Sequence, residues 1–129
     1  MKFVTFSGKT SSTQNPSAIL SRDVPTPGVL IGDEVVDLTG LAYPSVLAII
    51  EGGSLALSEV IAKLDKAPRV ALSEVTLHAP IRPPRVFGVG LNYASHAAES
   101  KMAVQKVPTV FMKLSSSVVG PDTPVILPK

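Results

Sequence analysis

The chain has no cysteine and no tryptophan, only two histidines, and only two tyrosines and four phenylalanines as its other aromatic residues. Without cysteine there can be no disulfide, no thiolate nucleophile and no cysteine-ligated zinc or iron–sulfur site, a composition that suits the cytoplasm. Few aromatics and a net charge of +2, with the charges well interleaved, leave neither a basic stripe nor stacking platforms, so nucleic acid is not an expected ligand. Long hydrophobic runs are missing too. Met1-Lys-Phe-Val-Thr-Phe-Ser-Gly-Lys9 holds no apolar core of a signal peptide, and no window approaches the roughly twenty apolar residues that cross a bilayer. A soluble, unexported chain is expected.

What is present is an apolar share of 45% in 129 residues, enough for one ordinary core, together with twelve prolines and nine glycines spread along the chain. Such spacing favours many turns and short elements, hence an α+β fold over a helical bundle. Lys2 to Phe6 is predicted as an opening strand. Gly28 to Ile31 and Glu34 to Leu38 form a hairpin about the two-residue turn Gly32-Asp33. Between them the chain is polar and interrupted by proline, with Ala18 to Leu20 as a further short strand. Tyr43 to Ile50 and Ser54 to Leu64 are predicted helices separated by Gly52-Gly53, the second presenting Leu55, Leu57, Val60, Ile61 and Leu64 as a stripe facing the core.

Val75 to Leu77 is a short strand, and the prolines of His78-Ala-Pro-Ile-Arg-Pro-Pro84 make an extended linker. The expected organisation is therefore a small N-terminal α+β domain over residues 1–78 and a second part over residues 79–129. That second part holds a strand from Val86 to Leu91, a short helix around Ala94 to Lys101, a strand from Thr109 to Lys113, and two short strands about Gly120-Pro-Asp122. So few residues make a poor core on their own.

The chemistry concentrates in Arg85-Val-Phe-Gly-Val-Gly-Leu-Asn-Tyr-Ala-Ser-His-Ala-Ala-Glu99. His96 and Glu99, three residues apart on a helix, share a face, where the carboxylate can fix the imidazole tautomer and raise its basicity. A water-activating base needs that arrangement. A solvated helix face carrying both residues by chance is the plain alternative, and Asn92, Tyr93, Ser95 and Ser100 add hydrogen-bonding groups nearby. Gly88-Val-Gly90 after a strand invites a dinucleotide-binding reading, but Tyr93 occupies the third glycine's position and no carboxylate lies near residue 110 for a ribose. Lys113, followed by Ser115-Ser-Ser117, could offer an ammonium and hydroxyls to a carboxylate or oxyanion, or be an ordinary strand-end lysine. His78 is read as structural or solvent-exposed.

Val89 to Glu99, Pro108-Thr-Val-Phe-Met-Lys113, Ser115-Ser-Ser117 and Val125-Ile-Leu-Pro128, in that order, resemble the fumarylacetoacetate hydrolase family. Lys2 to Phe6 and the Gly28 to Leu38 hairpin are similar to that family's small N-terminal domain. The resemblance implies a small α+β domain followed by the first strands and lid helix of a mixed, mainly β catalytic fold. It implies a hydrolase, isomerase or decarboxylase of small acylpyruvate-like β-dicarbonyl acids. His96, oriented by Glu99, would activate water for C–C bond cleavage, and Gly90, Asn92, Tyr93 and Lys113 would bind substrate. The implied cofactor is Mg²⁺ or Mn²⁺, held by a Glu-x-Glu pair and a later Asp. Those positions follow Pro128, the chain ends at Lys129, and none of Glu74, Glu99 and Asp122 matches them. The resemblance thus implies no metal ligand in this chain and no turnover by it alone. It further implies a homodimer or association with a longer homologous chain. A noncatalytic relative that acts as an oligomerisation or regulatory module is the alternative.

Overall fold

A computed structural model describes residues 1–9, 24–90, 99 and 107–127. The expected α+β class is what forms, in two compact units, Met1–Ile81 with Val119–Lys129, and Arg82–Val118. The sequence had put residues 79–129 together.

The first unit is an antiparallel five-stranded sheet, ordered β4-β3-β2-β1-β5, with two helices. Its strands are β1 (Lys2–Gly8), β2 (Thr26–Ile31), β3 (Glu34–Asp37), β4 (Arg69–Ala71) and β5 (Val75–His78). The predicted hairpin forms: Ile31 pairs with Glu34 across Gly32-Asp33. Gly32 takes φ +57° while Asp33 does not turn left-handed, so only the first turn position needs a residue without Cβ, as in a type II′ turn. Strand alternation then sorts the two faces. Phe3, Val29 and Val36 lie level in register and meet Leu38, Ile49, Ala56 and Val60 in one core cluster. The other face carries Phe6, Val35, Val70 and Val75, with Val4, Leu30, Leu72 and Leu77 packed against them.

Helix α1 (Val46–Glu51) starts at Ser45, whose Oγ accepts the Ala48 N–H at 3.1 Å, satisfying one of the donors a helix start leaves open. Gly53, at φ +59°, breaks it from α2 (Gly53–Lys63). The predicted apolar stripe on α2 holds at Val60, which is buried, and at Leu64, which packs partly buried against the core, and fails at its other three positions. Leu55 is 74% exposed, Ile61 54% and Leu57 42%, whereas Ala56 and Val60 are fully buried. Ala56 and Val60 pack with Val29 and Val36 of the sheet and with Leu38 and Ile49 in one cluster, so the side of the helix that carries them faces inward and the larger side chains of the other sides turn out.

Strand β4 had no sequence expectation, being only three residues long, and forms because β3 offers it an edge: Val35 pairs with Val70. Residues 79–84 have no regular structure, as the prolines require. The two short strands expected around Gly120 do not form among the described residues. There is a turn at Pro121 and Asp122, with Asp122 at φ 57°. Without a ladder partner, local β propensity is not enough to make strands. Gly120 instead lies against β5, where an added Cβ would be 2.6 Å from the Leu77 carbonyl oxygen. The expected strand at Ala18 to Leu20 and the helix around Ala94 to Lys101 lie outside the described residues, apart from Glu99, which is helical.

The second unit is a two-stranded antiparallel sheet of β6 (Val86–Gly90) and β7 (Thr109–Lys113). Every residue of β7 is exposed, and so are Phe87 and Val89. Among the described residues no helix is long and apolar enough to cross a membrane.

Candidate functional site

The glycine-rich stretch before His96 is, as far as Gly90, a strand. Val86 pairs with Lys113, Gly88 with Phe111 and Gly90 with Thr109. Gly88 has a packing role: the Phe111 ring lies over it, with its Cζ 2.4 Å from the place a Cβ would take. That accounts for this glycine without a phosphate. Gly90 meets nothing closer than 3.6 Å and has no positive φ, so neither steric crowding nor backbone conformation demands a glycine there. Asn92, Tyr93 and His96 lie outside the described residues. Glu99 is helical and exposed.

Gly90 and Lys113 stand at opposite ends of the same ladder. Four strand steps of about 3.4 Å separate those ends by roughly 13 Å along the sheet, so a small acid held at Gly90 meets Lys113 only if the lysine side chain reaches back toward it. Beyond Lys113, residues Ser115–Ser117 form a 3₁₀ turn. The Ser117 hydroxyl donates to the Leu114 carbonyl at 2.7 Å, and that of Ser115 to the Pro84 carbonyl at 3.3 Å. Their protons are committed to the backbone, and their oxygens are left as acceptors. Ser116 has no hydrogen bond among the described residues.

His78 belongs to the first unit. It is half-buried at the end of β5, and its Nε2 shares a 2.8 Å hydrogen bond with the buried Ser7 hydroxyl. The Thr5 hydroxyl beside it donates to the Pro80 carbonyl. These contacts tie the start of the proline linker to β1, a structural use of the histidine. Gly28 was expected as a strand start and Gly120 as part of a turn; the packing requires the missing side chain of each, and a glycine in a strand marks a close approach without naming what approaches.

No group of three or more histidine and carboxylate side chains comes together among the described residues. A divalent ion has no donor set there, and no chemical step is assigned to one.

Comparison with known proteins places these residues. A family model described as the fumarylacetoacetate (FAA) hydrolase C-terminal domain matches residues 85–129. The similarity extends into the first unit: the rat protein named oxaloacetate tautomerase Fahd2a, mitochondrial (Rattus norvegicus), is 44% identical over 103 residues, 76% of this chain and 33% of its own length. The chain belongs to the fumarylacetoacetate hydrolase family. A bovine family member, oxaloacetate tautomerase FAHD2A, mitochondrial (Bos taurus), is 39% identical over 75% of this chain and 32% of its own length. The Xenopus laevis oxaloacetate tautomerase fahd2, mitochondrial, is 32% identical over 84% of this chain and 37% of its own. The chain thus spans about a third of the length of the curated relatives it matches. Among solved structures, the maleylpyruvate hydrolase from Sphingobium sp. SYK-6, in complex with manganese(II) and pyruvate, shares the fold. Its TM-score is 0.68 at 24% identity, over 98% of this chain and 42% of that one.

Proposed function

We propose that this chain carries the N-terminal module and the His96–Glu99 portion of a family enzyme that transfers a proton on a small 2-oxo acid, with oxaloacetate as the substrate class. The observation that carries the reading is the 44% identity to a protein named oxaloacetate tautomerase, which extends into the first unit. His96, oriented by Glu99, takes a proton from the carbon between the carbonyl and the distal carboxylate. Returning a proton to the carbonyl oxygen completes the enol. The C–C hydrolysis of acylpyruvate-like β-dicarbonyl acids implied by the family resemblance uses the same base on water instead of carbon, so the two reactions separate by product. The backbone at Gly90, the Asn92 and Tyr93 side chains and Lys113 bind the acid. Mg²⁺ or Mn²⁺ belongs to the proposal, its ligands assigned to no residue of this chain. A cytoplasmic location and a homodimer are part of the same reading.

One observation favours the noncatalytic alternative: β6 and β7 expose Phe87, Val110, Phe111 and Met112, an apolar sheet suited to pairing with a longer homologous chain. A single assay separates the two. The chain, alone and co-expressed with a full-length family member, is given oxaloacetate with Mg²⁺ or Mn²⁺. Enol is followed by ultraviolet absorbance and cleavage products by chromatography. Under the catalytic reading His96→Ala lowers the rate by about 10²–10⁴-fold, the usual worth of a positioned base. An unchanged rate in both preparations rejects that reading, and stable co-purification with that unchanged rate supports the noncatalytic one.

A further inference from the structure

A cavity of about 180 Å³ opens in the first unit, where the end of β3 meets the C-terminal turn of α2. Leu38, Leu41, Ala67 and Pro68 give it an apolar wall, and Lys63 and Lys66 line it as well. Among the described residues neither ammonium has an ion pair or a side-chain hydrogen bond.

A lysine at the end of a helix is commonly a partner for the last carbonyls. Here the backbone closes three of the last four: Leu64 N–H reaches the carbonyls of Val60 and Ile61, and the N–H groups of Lys66 and Ala67 reach that of Lys63. The cavity also contains a carboxylate, but Asp37 is buried and its Oδ1 accepts the Thr39 N–H at 2.8 Å. That carboxylate is engaged by the turn at Thr39. Gly40 lines the cavity too, and a notional Cβ there meets no atom within 4 Å.

Two cations at the rim and an aliphatic wall suit one chemistry. We propose that this cavity binds a short aliphatic dicarboxylate, each carboxylate meeting one of Lys63 and Lys66 and the methylenes lying on Leu38 and Leu41. The site uses none of the residues assigned to proton transfer and stands or falls separately from that function.

Succinate titrated into the ¹⁵N-labelled chain, at ionic strength held constant with sodium chloride, tests it by amide chemical shifts. The expected result is saturable shifts centred on Gly40, Leu41 and Ala67, with affinity falling about tenfold in Lys63→Gln/Lys66→Gln, as loss of two exposed charge contacts would give. Both lysines are exposed, so the double variant keeps the fold, which its unperturbed amide spectrum elsewhere verifies. Shifts that do not saturate, an affinity unchanged in the double variant, or equal saturation by sulfate would each overturn the proposal.

Discussion

Replacing Gly28 with alanine puts a methyl group where β2 has no room for one. It would lie 2.8 Å from Val35 Cγ1, 2.9 Å from Phe6 Cε1 and 2.9 Å from the Val36 carbonyl oxygen. Val35 and Phe6 are both at most 1% exposed, so neither can swing into solvent, and Val36 is held between β2 and its neighbours in the ladder. Overpacking of this kind costs about 1–3 kcal/mol. Against it stands a gain of roughly 0.4–1 kcal/mol, because alanine has fewer unfolded conformations to lose. The net loss is about 1–2 kcal/mol, equivalent to a fall of roughly 5–10 °C in the melting midpoint of a unit this size. Thermal and urea unfolding by far-UV circular dichroism measures it, and Gly40→Ala, where an added Cβ meets no atom within 4 Å, serves as the control that should be neutral or slightly stabilising. A Gly28→Ala protein as stable as the parent, with an unchanged urea slope, would refute the packing argument.

Truncating Leu38, 1% exposed, to alanine should cost about 2–5 kcal/mol, whereas Leu55→Ala, at 74% exposure, should change stability by under about 0.5 kcal/mol; the reverse order in urea denaturation would restore the stripe read from the sequence. Gly120→Ala, facing an unyielding carbonyl of β5, should lower the midpoint and speed amide exchange at Leu77 and His78, while unchanged exchange would show that the tail does not pack there. The Tyr43 hydroxyl donates to Glu59 at 2.9 Å, and this bond, with lesser contributions from desolvation and the carboxylate's charge, raises its pKa above 10.0. Because the raised value belongs to the folded state, the bond's contribution is fully present below the unfolded pKa and is lost as pH climbs through the folded one. Glu59→Gln should bring the phenolate absorbance titration of Tyr43 back down toward the ordinary value, and no movement would disprove the contact.

Particular residues explain where sequence reading worked. Gly32-Asp33 between β-branched runs specifies its own turn, so the β2–β3 hairpin was legible from a dozen residues. Thr109 to Lys113 was legible as a strand for the same reason, being β-branched and bounded by Pro108 and a serine run. The α2 stripe was not, because apolar residues cover more than one face of that helix and periodicity does not choose between faces. Leu57 and Ile61 had as strong a claim as Val60, and only the packing of Ala56 and Val60 with Val29 and Val36 decides between them. In the candidate site, the expectation that His96 and Glu99 share a helix face rests on spacing alone, and His96 lies outside the described residues. The distance between Gly90 and Lys113 does not follow from spacing, since it depends on a register fixed by strands eighteen or more residues apart in the chain.

By itself the sequence determined the α+β class, the positions of the hairpin and of most strands, the extended proline linker, and the order of motifs that marks the family. These follow from local rules: turn chemistry, alternation and the absence of a backbone donor in proline. Tertiary structure alone decided which helix face is buried, that Arg69–Ala71 is a strand, that the segment around Gly120 lies on β5 unpaired as a strand, and that Gly88 serves the Phe111 ring. Each of those depends on what a distant part of the chain brings within a few ångströms, through close packing and ladder pairing that no short window of residues contains.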